Sequence, residues 1–201
     1  MKTSSEFRAA ARAALKGNWG ETAVFTLVYL IVSCAAAGIL GMIIPFAGSL
    51  IATLLMVPVT FAFTVSFLGL LRGTKVDVGN LFKQFNNRVF ITMMLVSLYS
   101  WLWTLLFIIP GIIKGYSYAM TPYLLKDNEE LSGEAAINAS MSMMSGHKWE
   151  LFVLDLTFIG WALLCIFTFG IGLLWLQPYQ LTSRAAFYEE LKAASAPSVE
   201  A

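Results

Sequence analysis

Charged residues are scarce in this chain of 201 residues. Asp, Glu, Lys and Arg make up 12% of it and hydrophobic residues 58%, whereas a soluble globular domain is about 25% charged. Because so few charges cannot cover a water-exposed surface, the composition predicts an integral membrane protein whose first partner is the lipid bilayer. The net charge of +1, with no basic run, excludes a nucleic-acid partner, since phosphate backbones are bound by clusters of Lys and Arg.

Residues that perform catalysis or bind metals are equally few. There is one histidine, His147, and there are two cysteines, Cys34 and Cys165, both in apolar runs. The sequence has no metal-ligand spacing, no glycine-rich phosphate loop and no nucleophile beside a base. It therefore predicts no catalytic residue, no cofactor and no metal site, and an enzyme is the least expected class. We interpret His147 as an interfacial residue in preference to a ligand.

Long apolar runs take up most of the chain instead. About 20 helical residues span about 30 Å, the thickness of the hydrocarbon layer. We predict an all-α integral membrane bundle of six transmembrane helices, with spans at residues 23–44, 49–71, 89–109, 112–125, 149–168 and 173–191. Uncharged turns join them as three helical hairpins, at Pro45 to Gly48, Pro110-Gly111 and Gly170 to Gly172. Residues 1–192 are predicted to form a single membrane domain, and residues 193–201 a flexible tail.

Each predicted hairpin follows an amphipathic segment on the cytoplasmic side. In residues 4–17, one helical face carries the apolar residues and another carries three cations, Arg8, Arg12 and Lys16. The apolar residues are Phe7, Ala10, Ala11, Ala14 and Leu15. Two interpretations remain open. The helix lies on anionic lipid headgroups, or it packs on the rest of the protein as an N-terminal extension. The recurrence of this unit indicates an internal repeat, whose return helices carry Pro58, Pro122 and Pro178.

The basic residues predict the orientation. In the six-span arrangement all but one of the 13 Lys and Arg residues fall on one side, and basic loops face the cytoplasm. We therefore expect a protein of the plasma membrane with both termini in the cytoplasm. The exception is Lys114, near the opposite surface. We expect its long side chain to reach the interface there, and a substrate anchor is the less favoured alternative.

One ionisable pair is predicted within the last hairpin. If the turn is centred between Phe169 and Gly170, Asp155 and Arg184 lie at equal depth on the two helices. An ionised Asp inside a spanning helix is costly unless it meets a partner or water. We favour a structural pair that fixes the hairpin register. A proton or ion relay and a solvated helix end are the alternatives.

Several motifs together carry a family resemblance. They are Leu15-Lys16-Gly17-Asn18-Trp19, Pro110-Gly111-Ile112-Ile113, residues 146–161, Pro178-Tyr179 and Ala186-Phe187-Tyr188. With these motifs the chain resembles the bacterial membrane-protein family catalogued as domain of unknown function 975. It also resembles, more distantly, the membrane portion of some glycerophosphodiester phosphodiesterases. The resemblance implies a multipass protein of the bacterial inner membrane, and it carries no catalytic residue to this sequence.

Two functional hypotheses follow. The first is a non-enzymatic scaffold, accessory or lipid-organising protein that acts through its interfacial helices, with a membrane-protein partner or a second copy of itself. The second is a small transporter or channel, with a water-accessible site around Asp155 and Arg184. Tyr116, Tyr118 or Gln177 is expected to contribute to that site. Lipid handling is a third, which rests on the distant resemblance alone.

Overall fold

The computed structural model describes residues 2–44, 48–83, 86–106 and 108–195, and all regular structure in these ranges is helical. The all-α prediction is confirmed. The helices, in chain order, are α1 (Ser4–Leu15), α2 (Trp19–Ile43), α3 (Gly48–Leu71), α4 (Asn80–Lys83), α5 (Asn87–Leu106), α6 (Ile108–Tyr118), α7 (Thr121–Asp127), α8 (Gly133–Met143), α9 (Lys148–Phe167) and α10 (Leu173–Ser195).

Four of these helices, α2, α3, α5 and α9, are long and apolar enough to cross a membrane. They coincide with the predicted spans at 23–44, 49–71, 89–109 and 149–168. The outward surfaces of α2, α5 and α9 carry many exposed Ile, Leu, Met and Trp side chains, whereas more than half of the α3 span is buried. An exposed apolar surface of this extent is rare in a soluble monomer. The helices are therefore those of a membrane protein.

The other two predicted spans differ from this pattern. Residues 112–125 are divided between α6 and α7, with a break at Ala119 and Met120. Pro122 lies in the first turn of α7, where its missing N–H costs nothing. Residues 173–191 lie within α10, which continues to Ser195. Its second half carries Arg184, Glu189 and Glu190, so α10 is not apolar enough to count among the four.

Helix α1 packs on the protein. Thr3 and Glu6 form a capping box at its N-terminus. Phe7, Ala11 and Leu15 are buried, whereas Ala10 is exposed and Ala14 is half-buried at the edges of this face. The Phe7 ring meets Phe187 of α10 edge to face, with the ring centroids 5.2 Å apart. The apolar face of α1 therefore covers α10, as in the second interpretation of residues 4–17.

The second half of α10 lies at the centre of the described structure. Ala185, Phe187, Tyr188 and Leu191 are buried in a core shared with α1, α7, α8 and α9. A neighbouring core forms between α2 and α3, where Tyr29 stacks on Phe63 at a centroid distance of 4.1 Å. Burial of such aromatic rings supplies much of the packing energy.

The turns agree only in part with the prediction. Phe169 and Gly170 both have positive φ, at 49° and 84°. The chain therefore turns at the position that Gly170 and Gly172 predicted. Pro110 and Gly111 instead belong to the first turn of α6, because that helix already begins at Ile108. A Cβ on Gly111 would lie 2.7 Å from the Thr104 Cα, so the glycine permits α5 and α6 to pack closely. The predicted turn residues 45–47 lie outside the described ranges, as do 196–201 of the predicted tail.

The links before α2 and α9 share one geometry. Gly17 and Gly146 have φ of 89° and 85°. The next residues, Asn18 and His147, have nearly identical backbone angles, with φ of −115° and −113° and ψ of 8° and 3°. This correspondence supports the internal repeat at these two positions.

Candidate functional site

Asp155 of α9 and Arg184 of α10 form a two-point ion pair. The Arg184 Nε donates to Asp155 Oδ1 at 3.0 Å, and its Nη2 donates to Oδ2 at 2.6 Å. This parallel arrangement is the strongest geometry between a guanidinium and a carboxylate. The structure thus brings together the two residues that the turn geometry related.

Two further side chains complete the surroundings of this carboxylate. The Tyr116 hydroxyl of α6 donates to Asp155 Oδ2 at 3.1 Å, and the Gln180 amide of α10 approaches Oδ1 at 3.4 Å. The Asp155 side chain is 12% exposed and that of Arg184 is 33% exposed. Four donors occupy a carboxylate that has about four acceptor positions. The group is therefore satisfied by protein, with three helices joined at one point.

The other residues predicted for a polar cavity do not join this cluster. Tyr118 is buried and makes no hydrogen bond to Asp155 in the described structure. The Gln177 Oε1 is buried and accepts no hydrogen bond from the described residues. Gln180, which does reach Asp155, is absent from the sequence prediction. It lies one helical turn before Arg184, a spacing that places both side chains on one face of α10.

Lys114 and His147 have separate surroundings. The Lys114 Nζ lies 5.1 Å from the centroid of the Trp103 ring and 4.0 Å from the Met141 sulfur. This is a cation–π contact between α6 and α5. The His147 Nδ1 lies 3.0 Å from an oxygen of Glu150 at the start of α9, where both side chains are exposed. Neither residue contacts the Asp155 carboxylate.

A second ionic cluster escaped the sequence analysis. The Asp127 carboxylate at the end of α7 accepts two hydrogen bonds from Arg72, at 2.6 and 2.7 Å. It also accepts one from the Lys192 ammonium at 2.5 Å and one from the Tyr188 hydroxyl at 3.0 Å. The Arg72 Nε donates in turn to Glu189 at 2.6 Å. The cluster ties the end of α3 and the end of α7 to α10.

The ionisation of Asp127 reflects these contacts. Burial raises the pKa of the Asp127 carboxyl, but hydrogen bonds from Arg72, Lys192 and Tyr188 outweigh burial and hold that pKa well below its usual range. No local spacing relates these residues, since Arg72 and Lys192 lie 55 and 65 positions from Asp127. Only the packing of the helices brings them together.

Comparison with known proteins gives the family. A family model described as Protein of unknown function (DUF975) matches residues 1–114 and 100–195. The chain belongs to this family. The resemblance inferred from the motifs is confirmed, whereas similarity to glycerophosphodiester phosphodiesterases is not shown. No curated protein and no solved structure matches the chain.

Potential metal ligands are dispersed over the described residues of this DUF975 member. Its described residues contain no group of three or more His, Cys, Asp or Glu that could hold a metal ion. Cys34 is exposed, Cys165 is buried, and neither forms a disulfide. The two carboxylates with the most hydrogen bonds, Asp155 and Asp127, both accept them from side chains of neighbouring helices.

Proposed function

We propose that this family member is a non-enzymatic multipass membrane protein that serves as a scaffold or accessory subunit and organises lipid at the cytoplasmic face. In this proposal six spans form three hairpins, both termini are cytoplasmic and the membrane is the bacterial plasma membrane. Packing of α2 on α3, α5 on α6 and α9 on α10 supports the hairpins. The excess of basic residues at the α1, α7 and α10 end supports the orientation.

The observation that carries the proposal is the saturation of Asp155. A proton relay or ion site needs a carboxylate that water or a solute can reach and that can exchange partners. Asp155 instead holds Arg184 at two points and accepts from Tyr116, with little exposed surface. Such an arrangement acts as a brace between α6, α9 and α10.

The transporter remains the second candidate because of one observation. Gln177 has a buried amide oxygen without a donor in the described residues, and it lies next to Pro178, which interrupts the α10 backbone hydrogen bonding. An unsatisfied acceptor beside a proline within a helix is one kind of position where a transporter can bind water or solute. The two candidates therefore differ in whether water or a solute passes along this region of α10.

Asp155→Asn separates the two candidates. Removal of the charge leaves Arg184 without its ionic partner. Loss of one partner of a buried pair lowers the free energy of unfolding by about 3 kcal/mol. We expect a lower unfolding temperature of the purified protein and less folded material, with no change in solute uptake by proteoliposomes. Glu150→Gln on the same helix is the matched control, since the only side-chain hydrogen bond or ion pair of Glu150 in the described structure is with the exposed His147. An Asp155→Asn protein of normal stability that has lost the flux of one solute would overturn the scaffold proposal.

A further inference from the structure

A groove of about 410 Å³ opens between the N-terminal helices and the α9 and α10 pair. Its walls are almost wholly apolar and include Trp161, Leu164 and Trp175, all with exposed side chains. The groove is therefore open to whatever surrounds the protein. For a membrane protein, the surroundings of such a surface are lipid chains.

One end of the groove is cationic. Arg12 of α1 and Trp19, the first residue of α2, border it, and the Trp19 ring lies 6.3 Å from the Tyr179 ring between centroids. Tryptophan at the start of a spanning helix is typical of the headgroup level. Arg12 is exposed and makes no hydrogen bond or ion pair in the part of the chain that is described. Its charge is therefore available at that level.

The groove continues from this end towards the turn between α9 and α10. Its lining includes Gly172 and Tyr179, and seven helical steps of about 1.5 Å correspond to about 10 Å. At the far end, a Cβ on Gly172 would lie 2.7 Å from the Cys165 sulfur, so a larger residue there would displace the Cys165 side chain. A cation at the headgroup level and an apolar channel below it match the two parts of a phospholipid.

We propose that the groove binds one anionic phospholipid, with its phosphate at Arg12 and part of one acyl chain against Trp161 and Trp175. This inference deepens the lipid-organising part of the proposed function and rests on it. An anionic lipid is favoured over a zwitterionic one because Arg12 has no acidic partner among the described residues. Arg8 on the same helix and Lys16 directly after it add charge of the same sign.

Brominated lipids test the inference, since bromine on an acyl chain quenches nearby tryptophan. The full chain is reconstituted in phosphatidylcholine vesicles that contain a minor fraction of brominated phosphatidylglycerol or brominated phosphatidylcholine. We expect the brominated phosphatidylglycerol to be enriched at the groove tryptophans by about fivefold, the preference that one basic residue provides at a membrane surface. Free inorganic phosphate should not reduce this quenching, because it lacks the chain.

Arg12→Gln and Lys16→Gln form the matched pair of variants. Each removes one positive charge from an exposed position near the end of α1, but only Arg12 borders the groove. Arg12→Gln should abolish the preference for phosphatidylglycerol, and Lys16→Gln should retain most of it. Equal losses in both variants, or no preference in the unmodified protein, would overturn the groove assignment. Either result leaves the Asp155→Asn outcome unchanged, so the two proposals fail separately.

Discussion

The Asp127 cluster gives the most direct test of how the helices are held together. Asp127→Asn preserves the shape of the side chain and removes the charge that Arg72 and Lys192 share. The Asp127 side chain is 10% exposed, whereas those of Arg72 and Lys192 are 38% and 50% exposed. The carboxylate is thus the buried partner, and its two cations remain accessible to water.

The magnitude follows from this asymmetry. A hydrogen bond to a charged group is worth about 1.5–3 kcal/mol when it is buried, but a pair with an exposed cation contributes only about 0–1 kcal/mol. The two bonds from Arg72 and the one from Lys192 belong largely to the second class, and the Tyr188 hydroxyl belongs to the first. We therefore expect Asp127→Asn to reduce the free energy of unfolding by about 2–4 kcal/mol.

The dependence on pH gives a second readout of the same group. The folded-state pKa of Asp127 is lowered, so the unfolded chain binds a proton more readily than the folded one. The stabilisation is present in full above the unfolded pKa of about 3.9. It is lost as the pH falls below that value through the folded pKa. Asp127→Asn should lack this part of the acid-induced loss of stability.

Tryptophan fluorescence during denaturant unfolding in detergent measures both effects. Glu129→Gln is the control, because Glu129 is exposed two residues away and makes no contact with the cluster in the described structure. A difference between the two variants of less than about 0.5 kcal/mol, the usual range of surface substitutions, would refute the reasoning. It would mean that the ends of α3 and α7 are held on α10 by apolar packing alone.

Two further predictions concern the hairpins and the links before them. Cys34 and Cys165 are first replaced, and a membrane-impermeant maleimide is then applied to single-cysteine variants. Ile171→Cys should be labelled on intact cells, and Glu129→Cys should be labelled only after lysis. Protection of both on intact cells would contradict a hairpin that crosses the bilayer. Gly146→Ala should cost about 1–2 kcal/mol, since φ of 85° strains any residue with a Cβ. Gly20→Ala, in a helix with free space around it, should be neutral or stabilising in the same unfolding assay, and equal losses would refute the argument.

The sequence predicts best what depends on neighbours in the chain. The four apolar helices follow from the length of the apolar runs, and the contact between Asp155 and Arg184 follows from their equal distance to one short turn. The start of α6 is harder to predict from the sequence. Pro110 and Gly111 have the composition of a turn, yet proline is equally suited to the first turn of a helix. Glycine in turn permits close helix contact as readily as a reversal.

The residues that sequence reasoning missed belong to contacts between distant helices. Arg72 and Asp127 each stand at the end of an apolar run, where a charge needs no explanation beyond the end of the run. The pairing appears only when the ends of α3 and α7 meet on α10. Helix packing decides such contacts, because many crossing geometries bury the same apolar stripe.

The position of α1 connects the fold to the proposed role. A helix that binds a membrane surface inserts its apolar face into the lipid, but the apolar face of α1 is already occupied by α10 through Phe7 and Phe187. What α1 offers its surroundings is therefore its cationic face. A cation on a docked helix, beside an apolar groove, would select a lipid by its phosphate and its chain together. The same docking that removes α1 from the general membrane surface thus makes Arg12 a specific contact.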